Sequence, residues 1–192
     1  MIDLGVIVEG QGDEKSVGVL IRRIYAASDS AAGIRLSPLL RVQKERLLKP
    51  AEFERTVDFV ARDAQRILIL LDADDDCPAE RGPELLARAQ AVRRDREFGI
   101  VLANREYEAW FLAAAASIAG HRGLPIDLQP PAASESIRGA KEWLSARMGP
   151  RRGYTETTDQ LELTKIFDME VARQRSDSFD KCYREIERLL RG

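Results

Sequence analysis

The sequence predicts an α/β fold: a mostly parallel central sheet of about four strands, helices on both faces, and a helical C-terminal part. Two kinds of segment carry this reading. Short apolar runs rich in strand formers, residues 2–8 and 67–71, read as strands buried on both faces. Between them, apolar residues recur at helical spacing, first at Val17, Leu20, Ile21 and Ile24 and then at Phe53, Val57, Val60 and Ala64. Strands alternating with helices call for crossover connections, and these give a parallel sheet.

The first strand runs into Glu9-Gly-Gln-Gly-Asp-Glu-Lys-Ser16, where Gly10 and Gly12 supply a tight turn and Asp13 can cap the first helix. Residues 35–42 make a weaker strand, interrupted by Pro38. The second helix leads into Ile67-Leu-Ile-Leu-Leu71, which stops abruptly in Asp72, Asp74, Asp75 and Asp76. Pro83 suits the first turn of a third helix carrying Leu85, Leu86, Ala89 and Val92. Residues 99–103 form a fourth strand. Asn104 can cap the helix after it, with Glu106 and Glu108 in the first turn and Trp110, Phe111 and Leu112 in the body.

Residues 1–119 make this core, and residues 120–192 a linker and C-terminal helical extension packed on it as one compact unit. Gly, Pro, Ala and Ser dominate 120–136, and Pro130-Pro131 blocks regular structure there. Three helical stripes follow: Ile137, Ala140 and Leu144; Leu163, Ile166, Phe167 and Val171; and Phe179, Cys182, Tyr183, Ile186, Leu189 and Leu190.

With 192 residues, 44% hydrophobic and 32% charged, the chain can bury one core. Thirty basic residues against 32 acidic ones leave a net charge of −2, so any nucleic-acid contact must be local. The N-terminus lacks a basic leader, and the longest apolar stretch, 109–119, is too short to span a bilayer. A soluble cytoplasmic protein with no membrane partner is expected. Two cysteines and a single histidine exclude a Cys/His zinc cluster and argue against a disulfide framework. Cys182 reads as a core residue and Cys77 as an incidental loop thiol.

Ligands of open parallel sheets bind outside the carboxyl ends of the strands. That rule gathers Glu9, Asp72, Asp74 and Glu106 or Glu108 on one rim. While the chain stays extended past Leu71, Asp72 and Asp74 share a side and Ala73 points away. Two unit charges 4 Å apart repel by about 4 kcal/mol at an effective dielectric near 20, so such a cluster needs a proton or a cation. Oxygen-only ligands suit Mg2+ or Mn2+, and paired ions of this kind stabilise both the attacking and the leaving oxygen of a phosphodiester.

Simpler roles exist for each acid. Glu9, Asp13, Glu106 and Glu108 could each favour a helix N-terminus by roughly 0.3–1 kcal/mol, and the Asp run could be a solvated turn, as Asp75 and Asp76 are read to be. The metal reading rests on Glu9 and the Asp72/Asp74 pair each ending an apolar strand. It requires Glu9 and Asp72 to share a face. Ties only to arginines and amides would remove its basis.

Other motifs fail on their letters. Glu14 stands where a Walker A loop needs Gly, and Lys15 where a dinucleotide fingerprint needs its third Gly. Cys77 replaces the obligatory Gly of an EF-hand loop, and Pro83 its terminal Glu. Lys141, Arg147, Arg151, Arg152 and Lys165 form the nearest thing to a local basic surface for substrate; Arg93, Arg94 and Arg96 form another. Either can be an ordinary solvated face. Trp110 and Trp143 lie on apolar stripes and read as core.

Glu9-Gly10 after the first strand, with Asp72-Ala-Asp74 after the later one, resembles the Toprim domain, the metal-binding catalytic fold of topoisomerases, bacterial-type primases, some maturation ribonucleases and overcoming-lysogenisation-defect nucleases. More closely, Val8-Glu-Gly-Gln-Gly-Asp-Glu14, Leu71-Asp-Ala-Asp-Asp75, Arg105-Glu-Tyr-Glu-Ala-Trp-Phe111 and Ser176-Asp-Ser-Phe-Asp-Lys181 resemble a prokaryotic Toprim-like domain-of-unknown-function family, numbered 4276. The resemblance covers nearly the whole chain.

It implies a Toprim-like Rossmannoid three-layer fold and a divalent-metal-dependent nuclease or phosphoryl-transfer module acting on DNA or RNA. Glu9 would be general acid/base or ligand, and Asp72 and Asp74 Mg2+ ligands. Asp13 falls where the lysogenisation-defect nucleases carry a further acidic ligand. The resemblance also implies an AAA-type ATPase partner and a role in phage defence. Two alternatives stand beside it: a degenerate Toprim scaffold that binds a partner or nucleic acid without cutting, and a DxD phosphatase of the haloacid-dehalogenase type. The latter would use Asp72 as nucleophile and Asp74 as acid/base, although that motif normally ends a first strand.

Overall fold

Runs of apolar residues that can bury both faces become the strands of one sheet, and the amphipathic segments between them become its covering helices. The computed structural model describes residues 1–28, 33–150 and 152–191. The order is β1 (Ile2–Val8), α1 (Asp13–Ala27), β2 (Ile34–Arg41), α2 (Lys44–Leu47), α3 (Glu52–Val60), β3 (Arg66–Asp72), α4 (Pro78–Val92) and β4 (Glu97–Ala103). Beyond β4 come α5 (Ala109–Ala113), α6 (Ala140–Ser145), α7 (Leu161–Ile166), α8 (Met169–Arg175) and α9 (Asp177–Leu190). All strand pairs are parallel, in the order β2-β1-β3-β4. The sequence-predicted α/β architecture holds.

Alternation along the strands divides the core in two. Leu4, Val6, Leu68, Leu70 and Val101 pack with α1, α5 and α9, whereas Ile7, Ile67, Ile69, Phe98 and Ile100 pack with α3 and α4. Gly5 sits where α3 comes nearest β1, and a Cβ there would clash with Val60 Cγ1. The C-terminal helices join the first of these cores. Phe167 and Phe179 stack edge-on at 5.3 Å, Phe111 meets Phe167 at 5.4 Å, and Trp110 meets Phe179 at 5.1 Å.

Three boundaries differ from the sequence expectation. Helix α4 begins at Pro78, so Pro83 lies inside it; the proline forfeits only a bond to the carbonyl of exposed Ala79, which water can satisfy. Asn104 caps nothing: its side chain bonds Glu135 at 3.3 Å, and a left-handed turn at Arg105 (φ 69°) delays α5 to Ala109. The stripe through Leu163 and Val171 splits into α7 and α8, because Asp168 accepts the Val171 amide at 3.0 Å and starts a new helix. Ile166 and Val171 are in consequence 37% exposed. Among the described residues, no helix is long and apolar enough to cross a membrane.

Candidate functional site

The carboxyl ends of β1, β3 and β4 open on a common rim, and each sends a carboxylate to it. Glu9 follows β1, and its Oε2 accepts the backbone N–H of Asp72 at 3.1 Å. The two share a face, as the metal reading requires. Asp72 ends β3, and its Oδ1 accepts the Tyr107 N–H at 2.8 Å. Glu108, just before α5, is fully buried; its Oε1 accepts the Tyr154 hydroxyl at 2.8 Å, while its Oε2 has no hydrogen-bond partner. Backbone amides thus hold one oxygen each of Glu9 and Asp72, and a phenol one of Glu108. Ties to amides alone would remove the basis of the metal reading; what supports it is the second oxygen that each acid leaves without a hydrogen bond. Among the described residues no donor reaches Glu9 Oε1 or Asp72 Oδ2, and Glu108 Oε2 has only the Lys141 ammonium, 3.9 Å away.

Asp13 differs, since both its oxygens are taken. Oδ2 accepts the Gly10 N–H at 2.9 Å and Oδ1 the Gln160 side-chain amide at 2.6 Å, so it ties the Gly10–Gly12 turn to the C-terminal part. Asp13 opens α1 without being its N-cap, which is Gly12. Glu156, on the π-helical turn Glu156–Gln160, accepts the Gly12 N–H at 3.1 Å. A Cβ on Gly12 would strike Gln160 Oε1, and would meet the Glu156 carbonyl at 2.8 Å, so only glycine lets this turn seat on the loop.

Burial and mutual repulsion raise the acids' proton affinities. Glu9 is pushed up to about 7, first by burial, against the opposing Asp72 amide and Lys44 charge. Burial also carries Asp72 well above the carboxylate range, with Glu108, Asp13 and Glu9 adding to it. Glu108 and Asp13 move up for the same first reason. Lys141 is the counter-charge. Its Nζ stands 3.3 Å from Glu156 and 3.9 Å from Glu108, and Glu108, Asp72 and Glu156 together outweigh the burial that would otherwise lower its pKa.

Asp74 leaves this group. β3 ends at Asp72, and Asp74 takes a left-handed conformation (φ 52°), so the extended alternation that would have aimed it beside Asp72 does not continue. Its carboxylate pairs with Lys44 at 2.8 Å, and the same Nζ donates to the Asp72 carbonyl at 2.7 Å and the Ala73 carbonyl at 3.1 Å. Asp75 is held by Arg105 and Arg138, and Asp76 by Lys44. Of the other basic candidates, Arg152 joins Arg122 on buried Asp159, and Lys165 pairs with Glu162. Arg151 lies outside the described residues. Glu106 accepts the Lys141 amide at 3.3 Å.

Several participants escaped the sequence reading: Lys44, Tyr154, Glu156 and Gln160. A lone lysine before a short helix, or a tyrosine in a polar loop, carries no spacing signal. The crowding of Gly10 and Gly12 was the one letter-level sign that something seats against that turn.

The donor set suits a hard divalent cation: every ligand atom on offer is a carboxylate oxygen, and one of them is buried without a partner. Among the described residues no three His, Cys, Asp or Glu side chains are gathered closely enough to hold a metal ion. Across residues 8–187 the sequence matches the family model described as Domain of unknown function (DUF4276). No curated protein and no solved structure gives a significant match.

Proposed function

Given that the chain belongs to the DUF4276 family, whose description assigns no activity, we propose from its own site that it is a Toprim-like, divalent-metal-dependent nuclease or phosphoryl-transfer module acting on nucleic acid. One observation carries the reading: Glu9 and Asp72 at the ends of β1 and β3, and Glu108 just before α5, each have one oxygen held by a hydrogen-bond donor and the other without a hydrogen bond, that of Glu108 facing only the Lys141 ammonium at 3.9 Å. Donors on one oxygen orient a carboxylate, and the free oxygen can turn to a cation. Glu9, Asp72 and Glu108 would hold Mg2+ or Mn2+, which would supply charge stabilisation to a phosphodiester under attack.

The chain's own groups divide the remaining work. Glu9, with a pKa near 7, can hold or release a proton at its free oxygen at neutral pH. Lys141 keeps the cluster from accumulating unopposed negative charge. Arg105 and Arg138, both on exposed Asp75, are the cations at the rim that a phosphate backbone could recruit. Asp74 now belongs to a Lys44 pair, which weakens a DxD phosphatase with Asp74 as its acid/base. An AAA-type ATPase partner and a part in phage defence are proposals of the Toprim-like resemblance alone.

Purified protein incubated with plasmid DNA or structured RNA tests this. Cleavage is expected with Mg2+ or Mn2+, and should fall at least a hundredfold in Glu9→Gln and in Asp72→Asn. In parallel, Mg2+ or Mn2+ at about 100 times its Kd should stabilise the native protein by ~2.7 kcal/mol, and Asp72→Asn should lose that rise in melting temperature. Metal binding without cutting, even beside a cognate ATPase, would favour the binding scaffold. A trapped phosphoenzyme would favour the phosphatase, and equal melting responses in native and mutant protein would remove the metal site.

A further inference from the structure

β4 is an edge strand, and a groove of about 760 Å³ runs along it between α4 and α9. Its floor is backbone. Glu97 donates to Gln65 at 3.1 Å and Ala103 accepts from Ala73 at 2.8 Å, so the odd-numbered residues of β4 turn their peptide groups to β3. The even-numbered ones face the groove. There Phe98 gives its carbonyl to Arg188 at 2.7 Å, and Asn104 its N–H to the Ser178 hydroxyl at 3.0 Å. Between these closed ends, the N–H and C=O groups of Ile100 and Leu102 have no partner among the described residues.

The two walls differ. Pro78, Ala79, Gly82, Pro83 and Leu86 of α4 make one side small and apolar. The α9 side is charged but internally paired, Lys181 and Arg188 both bonding Glu185. Charge is uncompensated only at the end beside Asn104. Asp177 is exposed there with no cation partner among the described residues, and Glu135, bonded to the Ser176 hydroxyl, the Ser178 N–H and Asn104, has none either.

We propose that this groove binds an extended peptide segment of a partner protein as an added strand beside β4. Its apolar side chains, at alternate positions, face α4, and a Lys or Arg lies at the end beside Asp177 and Glu135. Strand addition gives each free peptide group at Ile100 and Leu102 a partner, while alternate side chains meet the two unlike walls. Five residues from Phe98 to Leu102 span about 17 Å, long enough for such a segment. A second copy would bring its own flanking helices against α4 and α9, whereas a single strand brings none.

Random heptapeptides displayed on phage, selected on the full chain, supply the probe; enriched sequences are then synthesised with a fluorophore and titrated by anisotropy. Winners should alternate apolar and polar residues and carry a terminal Lys or Arg, and replacing that residue by Glu should weaken binding at least tenfold. Asp177→Lys should invert this charge preference. Gly82→Trp, at a helical position whose Cβ meets only Leu102 Cδ1 at 3.7 Å, should fill the groove and abolish binding without unfolding the protein. Hydrogen exchange at the Ile100 and Leu102 amides should slow only when peptide is bound. The proposal is overturned by a selection without enrichment, by binding that survives Gly82→Trp, or by unchanged exchange at those amides. Slow exchange in peptide-free protein that sediments as a dimer, both lost in Gly82→Trp, would assign the groove to a second copy instead.

Discussion

At the residue scale, Glu9 shows how one side chain can couple folding to pH. Its carboxyl has a folded pKa of about 7, above an ordinary value of 4.5, so between those values the native state holds a proton that the unfolded chain releases. Stability from this group is therefore full below pH 4.5 and is lost as pH rises towards 7. Asp72, also raised, acts in the same sense. In metal-free protein, the melting temperature should decline by several degrees from pH 5 to pH 7.5, and Glu9→Gln should flatten that decline. Divalent binding must run the opposite way, tightening over the same interval as the proton leaves. A decline as steep in Glu9→Gln as in native protein would refute the assignment. Glu9 and Asp72 were legible because each ends a run of buried residues, which fixes where the carboxylate emerges. Asp74 was not. Its left-handed backbone is set by the loop after β3 bonding the loop after β4, Asp74 N–H to Arg105 carbonyl at 3.0 Å, a pairing no local pattern announces.

At the element scale, helix α9 was legible in full, because an uninterrupted stripe of six apolar residues leaves one face to bury and all six are buried. What the stripe could not convey is how its N-terminus is anchored. Ser178 Oγ accepts the Trp110 indole N–H at 2.9 Å and the Asn104 amide at 3.0 Å, so one hydroxyl ties α9 to both α5 and the end of β4. Ser178→Ala strands two donors, one of them on a fully buried tryptophan. Each unsatisfied buried group costs about 1–3 kcal/mol, so a loss of ~2–4 kcal/mol is expected where relaxation or water recovers part of it. Urea titration checks this, and a loss under about 1 kcal/mol, the low end for a single stranded donor, would mean that the Ser178 bonds are dispensable. The short helices were harder to place for the converse reason. With only six or seven residues, α7 and α8 have too few turns for periodicity to separate them, and a single capping aspartate decides the boundary.

At the scale of the whole molecule, a continuous core runs across residue 119, the predicted junction of the α/β core and the C-terminal extension packed on it. The cluster on one face of the sheet contains Trp110, Phe111 and Ile118 from before that point and Leu163, Phe167, Phe179 and Ile186 from after it. The carboxylate rim is divided the same way: Tyr154 supports Glu108, and Gln160 and Glu156 hold the loop after β1. Elements that share both a core and a site should unfold together. Intrinsic tryptophan fluorescence and far-UV circular dichroism should then give coincident urea transitions, with Trp110 reporting from the α5 side and Trp143 from α6. A chain ended after Ala119 exposes the apolar faces of Trp110 and Phe111, and buries too little without them to offset its conformational entropy. It should therefore lose cooperative unfolding and bind no divalent cation. Two separated transitions in the full chain, or a truncated chain that melts cooperatively and retains its Mg2+ response, would instead make residues 1–119 an autonomous domain whose site needs nothing from the C-terminal helices.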